Sequence, residues 1–407
     1  MGWKKHRGKK KKGCLGCVFP VMIFIFLLEV FVLSGLMGEK IKDSISDKVL
    51  EYFEPEVPYQ EVQIDQKELL KKYYYEQLSE EERTAYTEIS QGIRDQEDEI
   101  YVHASDAKRT NRILEYVLKD SPEIFWCDGT AKTTSYEGKD NYTVLRPVYL
   151  YEREEREKRQ SEIDCEVSEC LSKVGEDDSD YDKILYVFEY IVNTVEYDAA
   201  AEDNQNIYSV FVGKKSVCAG YSKATQYLLE KMGIFCTYVT GTTKNGENHA
   251  WNLVICEGDY YYVDTTWGDP VFLNETEDAD NNYISYDYMC CDDEALFKTH
   301  VPNAEVKLPE CSKMDYNYYV VNHMYYEECD SNRMLADMNE IISKKEKMSV
   351  FKFPDEKIYQ EGKHEIFGNL LERAAKNLAQ WYQLERVNYT YIDDSELNKI
   401  VIYWEYE

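Results

Sequence analysis

Apolar residues along this chain recur with two spacings, one of three to four residues and one of two. The longer spacing predicts helices, because positions three and four apart share one helix face. It runs through residues 105–119, 180–195, 218–232, 333–345 and 364–378, and through the highly charged stretch 66–94. We expect the helix that begins near Cys218 to end at Gly233, because glycine readily adopts the left-handed conformation that closes a helix. Ser105 is the expected N-cap of the first helix.

Alternation with a period of two predicts strands, because successive side chains of a strand point to opposite faces. Such segments and β-branched or aromatic runs fall at 133–136, 142–151, 235–241, 249–256, 259–264, 349–353, 387–392 and 399–405. Glu257-Gly258 predicts a two-residue turn between two of these strands. Cys256 then pairs with Asp259, which places His249 and Asp264 on one face of the hairpin as diagonal neighbours.

The N-terminus has the pattern of a membrane anchor. A basic block over residues 4–12 precedes an apolar run, Leu15–Met37, in which Glu29 is the only charged residue. A run of this length can cross a bilayer, and flanking basic residues stay on the cytoplasmic side. This predicts a transmembrane helix, a single-pass protein of the cell membrane, and residues 39 onward outside the cytoplasm. A cleaved signal peptide is the alternative.

These patterns predict an α+β protein of several parts. They are a cytoplasmic basic segment and transmembrane anchor at 1–38, a charged stalk at 39–66, an N-terminal α+β subdomain at 67–160, a central domain with the candidate chemistry at 161–330, and a small C-terminal β-α-β-β module at 331–407. The stalk contains Pro55 and Pro58, which are typical of extended connections.

The chain is strongly acidic, and this excludes one class of partner. Its net charge is −31, from 47 basic and 78 acidic residues, and residues 1–38 contribute about +6. A surface this negative repels phosphate backbones, so we expect no nucleic-acid binding. The acidity serves solubility or, in a narrower interpretation, attracts basic substrates.

Twelve cysteines in an exported chain suggest disulfides, although the sequence does not determine the pairing. Candidate partners are Cys165 with Cys170, and pairs among Cys290, Cys291, Cys311 and Cys329. The Cys14-x-x-Cys17 pair has no second pair at zinc-binding spacing. We therefore expect neither a metal nor another cofactor.

Three residues form a candidate catalytic set. Cys218 stands at a helix start, where free backbone N–H groups and the helix dipole favour the thiolate. His249 can hold that thiolate as an ion pair and protonate a leaving amine, and Asp264 can orient the ring. The structural alternative for Cys218 alone is an inert buried thiol.

The runs VCAGYS at 217–222, HAWNLV at 249–254 and YYYVDTTWGDP at 260–270 resemble motifs of the transglutaminase-like superfamily. The intervals from Cys218 to His249 and from His249 to Asp264, 31 and 15 residues, are also family-like. The chain is most similar to bacterial membrane-anchored or secreted members related to cytokinesis transglutaminase-like proteins and kyphoscoliosis peptidase. The resemblance covers about residues 180–300.

The resemblance implies a papain-like core in which Cys218, His249 and Asp264 have the roles given above. Such a site also needs donors for an oxyanion, and the Cys218 backbone N–H is one candidate. Gln205, Asn206 and Tyr208 are the candidates for the second donor. Trp251 and Trp267 could form walls for a substrate chain or belong to the aromatic core.

These features predict a thiol acyl-transfer enzyme that acts on peptide or isopeptide amide bonds outside the membrane. Hydrolysis is the expected outcome, as in a cysteine peptidase or amidase. Transfer to an amine needs a site that excludes water, and the short C-terminal module offers no evident tunnel. A cross-linking transglutaminase and a non-catalytic scaffold of the same fold remain the alternatives. The sequence does not determine the oligomeric state.

Overall fold

Three antiparallel sheets and one short parallel pair organise the computed structural model, which describes residues 57–137, 141–269 and 283–406. Gln60–Tyr136 and Asn141–Glu407 belong to one compact unit. The predicted anchor and most of the predicted stalk lie outside the described residues. Within the three described ranges, no helix combines the length and the apolar character needed to cross a membrane.

The helices are, in chain order, α1 (Gln66–Leu69), α2 (Tyr73–Glu76), α3 (Glu80–Arg94), α4 (Ala107–Asp120), α5 (Arg153–Leu171), α6 (Asp180–Thr194), α7 (Ile207–Phe211), α8 (Cys218–Lys231), α9 (Asp293–Leu296), α10 (Tyr318–Val321), α11 (Ser331–Ser343), α12 (Glu356–Glu365) and α13 (Leu371–Tyr382). A π-helical turn, Ile366–Leu370, joins α12 to α13.

The strands are β1 (Ile100–Val102), β2 (Cys127–Tyr136), β3 (Tyr142–Tyr149), β4 (Glu196–Tyr197), β5 (Lys215–Ser216), β6 (Cys236–Thr243), β7 (Asn248–Cys256), β8 (Asp259–Val263), β9 (Met289–Cys291), β10 (His300–Pro302), β11 (Met348–Lys352), β12 (Tyr389–Asp394) and β13 (Lys399–Trp404).

The N-terminal subdomain combines the sheet β1-β3-β2 with helices α3 and α4. The stretch 66–94 forms three helices, not one, because Lys72 is extended and a new helix starts after Ser79. Ser79 and Glu82 form a capping box there, which satisfies free N–H groups at the helix start. Asp106, not the predicted Ser105, caps α4 and accepts bonds from two backbone N–H groups.

The central sheet has five antiparallel strands in the order β10-β6-β7-β8-β9. The predicted hairpin register is confirmed, since Cys256 pairs with Asp259 and the ladder continues to Asn252 and Val263. The turn residues Glu257 and Gly258 both have positive φ, at 50° and 93°. This conformation matches the twist of the two strands and fixes which residues share a face.

The C-terminal module begins with a helix that precedes the predicted β-α-β-β pattern. Its sheet has the order β11-β13-β12, and α11, the helical segment α12–α13 and this sheet enclose a separate hydrophobic core. The predicted helix at 364–378 is longer, because α12, the π-helical turn and α13 follow one another without a break.

A buried charge cluster connects this module to the central domain. Asp287 lies shortly before β9, and its carboxylate accepts hydrogen bonds from Lys352 Nζ, at 2.8 Å, and from Lys399 Nζ. All three residues are buried. Burial alone would raise the pKa of Asp287, but the two ammonium charges hold it well below its usual range. A cavity of about 190 Å³ lies beside Asp287 and Lys352.

The cysteines in the described ranges are all free thiols, ten in number. The pairs that the sequence suggested, Cys165 with Cys170 and those among the four later cysteines, are therefore not formed. Burial explains the reduced state of most of them, because buried cysteines behave as small apolar residues. Cys165 is exposed, and Cys218 and Cys329 are partly exposed.

Candidate active site

Cys218 is the first residue of α8, where the sequence predicted it. The N-cap position, Val217, provides no side-chain hydrogen bond to the helix start. The backbone N–H groups of the first turn therefore point to the position of the thiol, and the helix dipole favours negative charge there. The helix ends as predicted at Gly233, where φ is +81°. Ile234 N–H and Leu229 C=O complete a Schellman motif at 2.9 Å.

Gly220 allows the start of α8 to pack closely against the loop before it. A Cβ atom at this position would lie 1.9 Å from Ser216 Oγ and 3.0 Å from the Asn204 carbonyl oxygen. Ser216 Oγ itself donates a hydrogen bond to Asn204 O at 2.9 Å. The glycine therefore fixes the position of the turn that carries Cys218.

His249 and Asp264 meet as the hairpin register predicted. His249 lies on β7, and Asp264 directly follows β8. The His249 Nε2 and Asp264 Oδ2 atoms are 2.7 Å apart, and both side chains are buried. Because Nε2 faces the carboxylate, Nδ1 is the ring atom left for the thiol of Cys218.

Asp264 is held by four hydrogen bonds. Its Oδ1 atom accepts from the backbone N–H groups of Thr266, at 2.9 Å, and Trp267, at 3.3 Å. Its Oδ2 atom accepts from two imidazoles, His249 and His300. Burial opposes the charge, but the two histidines outweigh it and hold the pKa of Asp264 well below its usual range. The carboxylate is therefore an ionised and fixed acceptor.

His249 is the group whose protonation the site changes most clearly. Burial alone would lower its pKa, but the charge of Asp264, the bond to Asp264 and a hydrogen bond with the Cys218 side chain raise it to about 10. An imidazolium at neutral pH is the partner that a thiolate needs. His249 is thus in contact with both of the other predicted residues, Cys218 and Asp264.

His300 is the site residue that the sequence analysis missed. It begins β10, and its Nε2 lies 3.0 Å from Asp264 Oδ2. Its only sequence signal is a histidine at the start of a very short strand. That signal is weak, because β10 pairs with β6, which is distant in sequence. No local pattern therefore indicates where His300 lies in the sheet.

Two tyrosines near the thiol were also absent from the predicted site. Burial raises the pKa of both Tyr197 and Tyr238, and the charge of Cys218 raises it further. Tyr197 is partly buried and Tyr238 is buried. Their hydroxyl groups therefore lie close enough to Cys218 to respond to its charge.

The two predicted tryptophan walls differ in exposure. Trp251 is 0% exposed and packs against His249, with ring centroids 6.0 Å apart. This favours the alternative of a core aromatic residue, because a fully buried ring offers no surface to a substrate. Trp267 is partly exposed and lies 5.9 Å from the His249 ring, so it can still border a substrate path.

The predicted second oxyanion donors make other contacts. Tyr208 donates its hydroxyl to Glu162 at 2.8 Å, and Asn206 Oδ1 caps α7 by accepting from Tyr208 N–H. Gln205 donates its side-chain amide to Asn204 at 3.0 Å. The role of the Cys218 backbone N–H as one donor and the identity of the second donor both stay predictions.

Three side chains of the site could in principle ligate a metal. His249, Asp264 and His300 each offer one ligand atom, and these atoms lie within 4.8 Å of one another. The N···O distances of 2.7 and 3.0 Å are also those of ordinary N–H···O hydrogen bonds. Hydrogen bonding therefore accounts for the cluster without a metal.

A thiol at a helix start, facing a histidine–carboxylate pair on an antiparallel sheet, is typical of a papain-like fold of mixed helix and sheet. Residues 170–265 match the family model of the transglutaminase-like superfamily. These residues thus form a transglutaminase-like domain, in agreement with the resemblance that the motifs indicated.

Kyphoscoliosis peptidase is similar to part of this chain. The mouse protein (Mus musculus) is 26% identical over 172 residues, which cover 38% of this chain and 26% of the relative. The human protein (Homo sapiens) is 28% identical over 124 residues, which cover 26% of this chain and 18% of the relative. The chain thus spans about a quarter or less of the length of these curated relatives. A crystal structure of a TGase matches 41% of this chain and 50% of its own, with 14% identity and a TM-score of 0.25.

Proposed function

We propose that this chain is a cysteine peptidase or amidase that cleaves peptide or isopeptide amide bonds through a Cys218–His249–Asp264 triad. The observation that carries the proposal is the position of His249 between the other two residues. One partner of the ring is an ionised carboxylate and the other is a thiol at a helix start. Each group therefore has the chemical environment that its role requires.

The first half of the reaction would form an acyl-enzyme. The Cys218 thiolate attacks the amide carbon, and the carbonyl oxygen becomes an oxyanion beside the N–H groups that begin α8. His249 then gives its proton to the amine nitrogen as the C–N bond breaks. Asp264 stays ionised throughout and orients the ring.

The second half of the reaction determines the product. Water that attacks the acyl-enzyme gives a carboxylic acid, returns a proton to His249 and releases the thiolate. An amine that attacks in place of water gives a cross-link. We favour water, because Trp251 is buried and so does not contribute to an aromatic tunnel that would exclude it.

Cross-linking is the second candidate function, and the acidic composition is the observation that favours it. A net charge of −31 would concentrate lysine-bearing acceptors near the protein. A free lysine amine has a reference pKa of about 10.4, so most of it is protonated and unreactive at neutral pH. Concentration alone therefore does not reverse the preference for water.

The test is turnover of a peptide library, with and without excess primary amine. We expect hydrolysis products to dominate and Cys218→Ala to abolish turnover. Cys165→Ala is the matched control, because it removes an exposed thiol that makes no contact with the triad, and it should stay active. Dominant amine incorporation that depends on Cys218 would establish the transferase, and turnover by Cys218→Ala would refute the triad.

The location of the reaction rests on the sequence alone. The basic block and the apolar run Leu15–Met37 support a single-pass anchor with the domain outside the cell membrane. Protease added to intact cells should digest the domain. Protection of the domain in intact cells, with digestion only after lysis, would contradict this orientation.

A further inference from the structure

His300 lies in an aromatic box beside the proposed triad. It is 1% exposed, and its ring centroid lies 4.9 Å from that of Trp267 and 5.0 Å from those of Trp251 and Tyr288. A buried polar side chain needs hydrogen-bond partners, because its desolvation is otherwise uncompensated. The partners of both ring nitrogens of His300 therefore reveal its role.

Two imidazoles share one oxygen of Asp264. His249 Nε2 lies 2.7 Å and His300 Nε2 lies 3.0 Å from the same Oδ2 atom, and the two rings are 5.1 Å apart. An ionised carboxylate only accepts hydrogen bonds, so each Nε2 must carry a proton. His300 thus holds the same carboxylate oxygen as the catalytic ring.

The other nitrogen of His300 has a hydroxyl partner. The Thr299 Oγ1 atom lies 2.8 Å from His300 Nδ1 and 2.7 Å from the Tyr288 hydroxyl. The Leu296 carbonyl oxygen could accept the Thr299 proton instead, but it lies farther away, 3.4 Å from Thr299 Oγ1. The shorter contacts favour one proton order, in which Tyr288 donates to Thr299 and Thr299 donates to His300 Nδ1. His300 is then an uncharged imidazole with its proton on Nε2.

We propose that His300 is a positioning residue of the active site, an uncharged second donor that fixes the Asp264 carboxylate against which His249 is oriented. This inference rests on the proposed acyl-transfer function. Without the second donor, Oδ2 keeps His249 as its one partner, and only the two backbone N–H groups at Oδ1 still hold the orientation of the carboxylate. The ring of His249 would then lose its alignment with Cys218.

Gly241 leaves room for the Trp251 ring to reach His300 across the sheet. A Cβ atom there would lie 2.6 Å from the Trp251 ring and 2.2 Å from the Val301 carbonyl oxygen. Because no side chain occupies this place, the Trp251 ring extends between β7 and β10 and reaches His300. The aromatic box around His300 therefore depends on the particular residues of these strands.

The neighbours of His300 also limit its possible roles. The titratable groups in contact with its ring include Asp264, His249 and Tyr288. Its Nε2 proton is directed to Asp264, and its Nδ1 accepts from Thr299, so neither nitrogen faces the thiol. His300 therefore acts through Asp264 and is not a second general base.

The first test compares His300→Gln with His300→Leu in the full chain. A glutamine amide can place an N–H where Nε2 stands and accept from Thr299, whereas leucine can do neither. We expect His300→Leu to lower kcat by about 100-fold with little change in KM, since small misplacements of catalytic groups cost factors of this size. His300→Gln should recover most of that loss. Equal loss in both variants, or normal kcat in His300→Leu, would overturn the inference.

The second test examines the tautomer through Thr299. Thr299→Val keeps the shape but removes the hydroxyl that donates to Nδ1, so Nδ1 is left buried without a partner and the His300 ring can turn away from Asp264. Thr299→Ser keeps the hydroxyl. We expect a large loss of kcat in the valine variant and near-normal kcat in the serine variant. If both behave alike, the proton order given above is wrong.

A spectroscopic measurement separates this inference from the proposed function. Chain labelled with ¹⁵N-histidine should show His300, assigned by its absence in His300→Gln, as an uncharged ring protonated on Nε2. A ring that is doubly protonated or protonated on Nδ1 at neutral pH overturns the inference even if turnover is normal. Turnover that survives Cys218→Ala refutes the proposed function, while the spectrum still decides the state of His300. Unfolding curves of each variant identify any loss that comes from misfolding.

Discussion

At the scale of single residues, the proton on His249 is the property that its surroundings change most. An imidazole in water has a pKa of about 6.5. Burial pushes the pKa of His249 down, and Asp264 and Cys218 together raise it to about 10. The sign follows from the direction: stability contributed by this ring is fully present below about pH 6.5 and is lost as the pH rises through about 10.

The pH dependence of turnover should reflect the same proton. We expect kcat/KM to hold through pH 8 and to fall as the pH approaches about 10, because neutral His249 cannot protonate the leaving amine. In Asp264→Asn the fall should move toward the ordinary value of about 6.5. A profile of kcat/KM against pH measures both. A wild-type fall near pH 7 would show that the ring is not stabilised as an imidazolium.

The contact between His249 and Asp264 could be predicted from the sequence, and the contact of His300 could not. The first depends on a two-residue turn, whose geometry fixes the register of a hairpin. The second depends on β10, three residues long, whose first residue pairs with Thr243, 57 positions earlier (300 − 243). No local pattern specifies a pairing at that distance.

At the scale of elements, the first turn of α8 is fixed by the space around Gly220. A methyl group there would meet Ser216 Oγ at 1.9 Å, so the helix start or the preceding loop must move. We expect Gly220→Ala to destabilise the fold by about 1–3 kcal/mol, the usual cost of overpacking. It should also slow the alkylation of Cys218, because the thiol and the N–H groups move together.

The matched control for this prediction is Gly368→Ala. Gly368 lies in the π-helical turn, and a Cβ atom there would meet nothing within 4 Å. We expect the unfolding midpoint and the alkylation rate of this control to stay close to those of the wild type. A harmless Gly220→Ala would mean that the loop before α8 adjusts freely.

Periodicity predicted where the helices and strands lie more accurately than it predicted where they begin and end. The strand Tyr142–Tyr149 and the helix Asp180–Thr194 lie within a few residues of their predicted limits, whereas the strand Cys127–Tyr136 begins six residues earlier than predicted (133 − 127). The stretch 66–94 was predicted less accurately, because its many charged residues obscure the two breaks between its three helices. The capping box of Ser79 and Glu82 was present in the sequence as a start signal for α3.

At the scale of the whole molecule, the Asp287 cluster joins the C-terminal module to the central domain. Asp287 accepts from Lys352 and Lys399, which belong to β11 and β13. Tyr288 follows directly, and its carbonyl oxygen accepts from the Asp264 backbone N–H at 3.0 Å. The residue that binds the module, Asp287, is therefore next in sequence to the residue that bonds the backbone of Asp264. This proximity suggests that the module supports the site, a role that the sequence did not indicate.

Removing the carboxylate should destabilise the protein strongly. In Asp287→Asn two buried lysines lose their counter-charge, and breaking a buried ion pair costs about 3–5 kcal/mol. Denaturant unfolding measures the loss. Asp315→Asn is the control, because Asp315 is exposed and its change should cost less than about 0.5 kcal/mol.

A compensated variant distinguishes charge from packing in this cluster. Asp287→Asn combined with Lys352→Met removes one unmatched ammonium and should recover part of the lost stability. A double variant as unstable as the single one would mean that shape, and not charge, holds the module in place. A single variant as stable as the wild type would mean that the cluster contributes little.

The free thiols described above have a practical consequence for chemical labelling. Of the ten described cysteines, only Cys165, Cys218 and Cys329 reach solvent, and the others are buried. Changing Cys165 and Cys329 to serine would leave Cys218 as the one solvent-accessible thiol of the described ranges. An electrophilic probe with a fluorescent tag would then report occupancy of the active site directly, and inhibitors could be screened by competition without a known substrate.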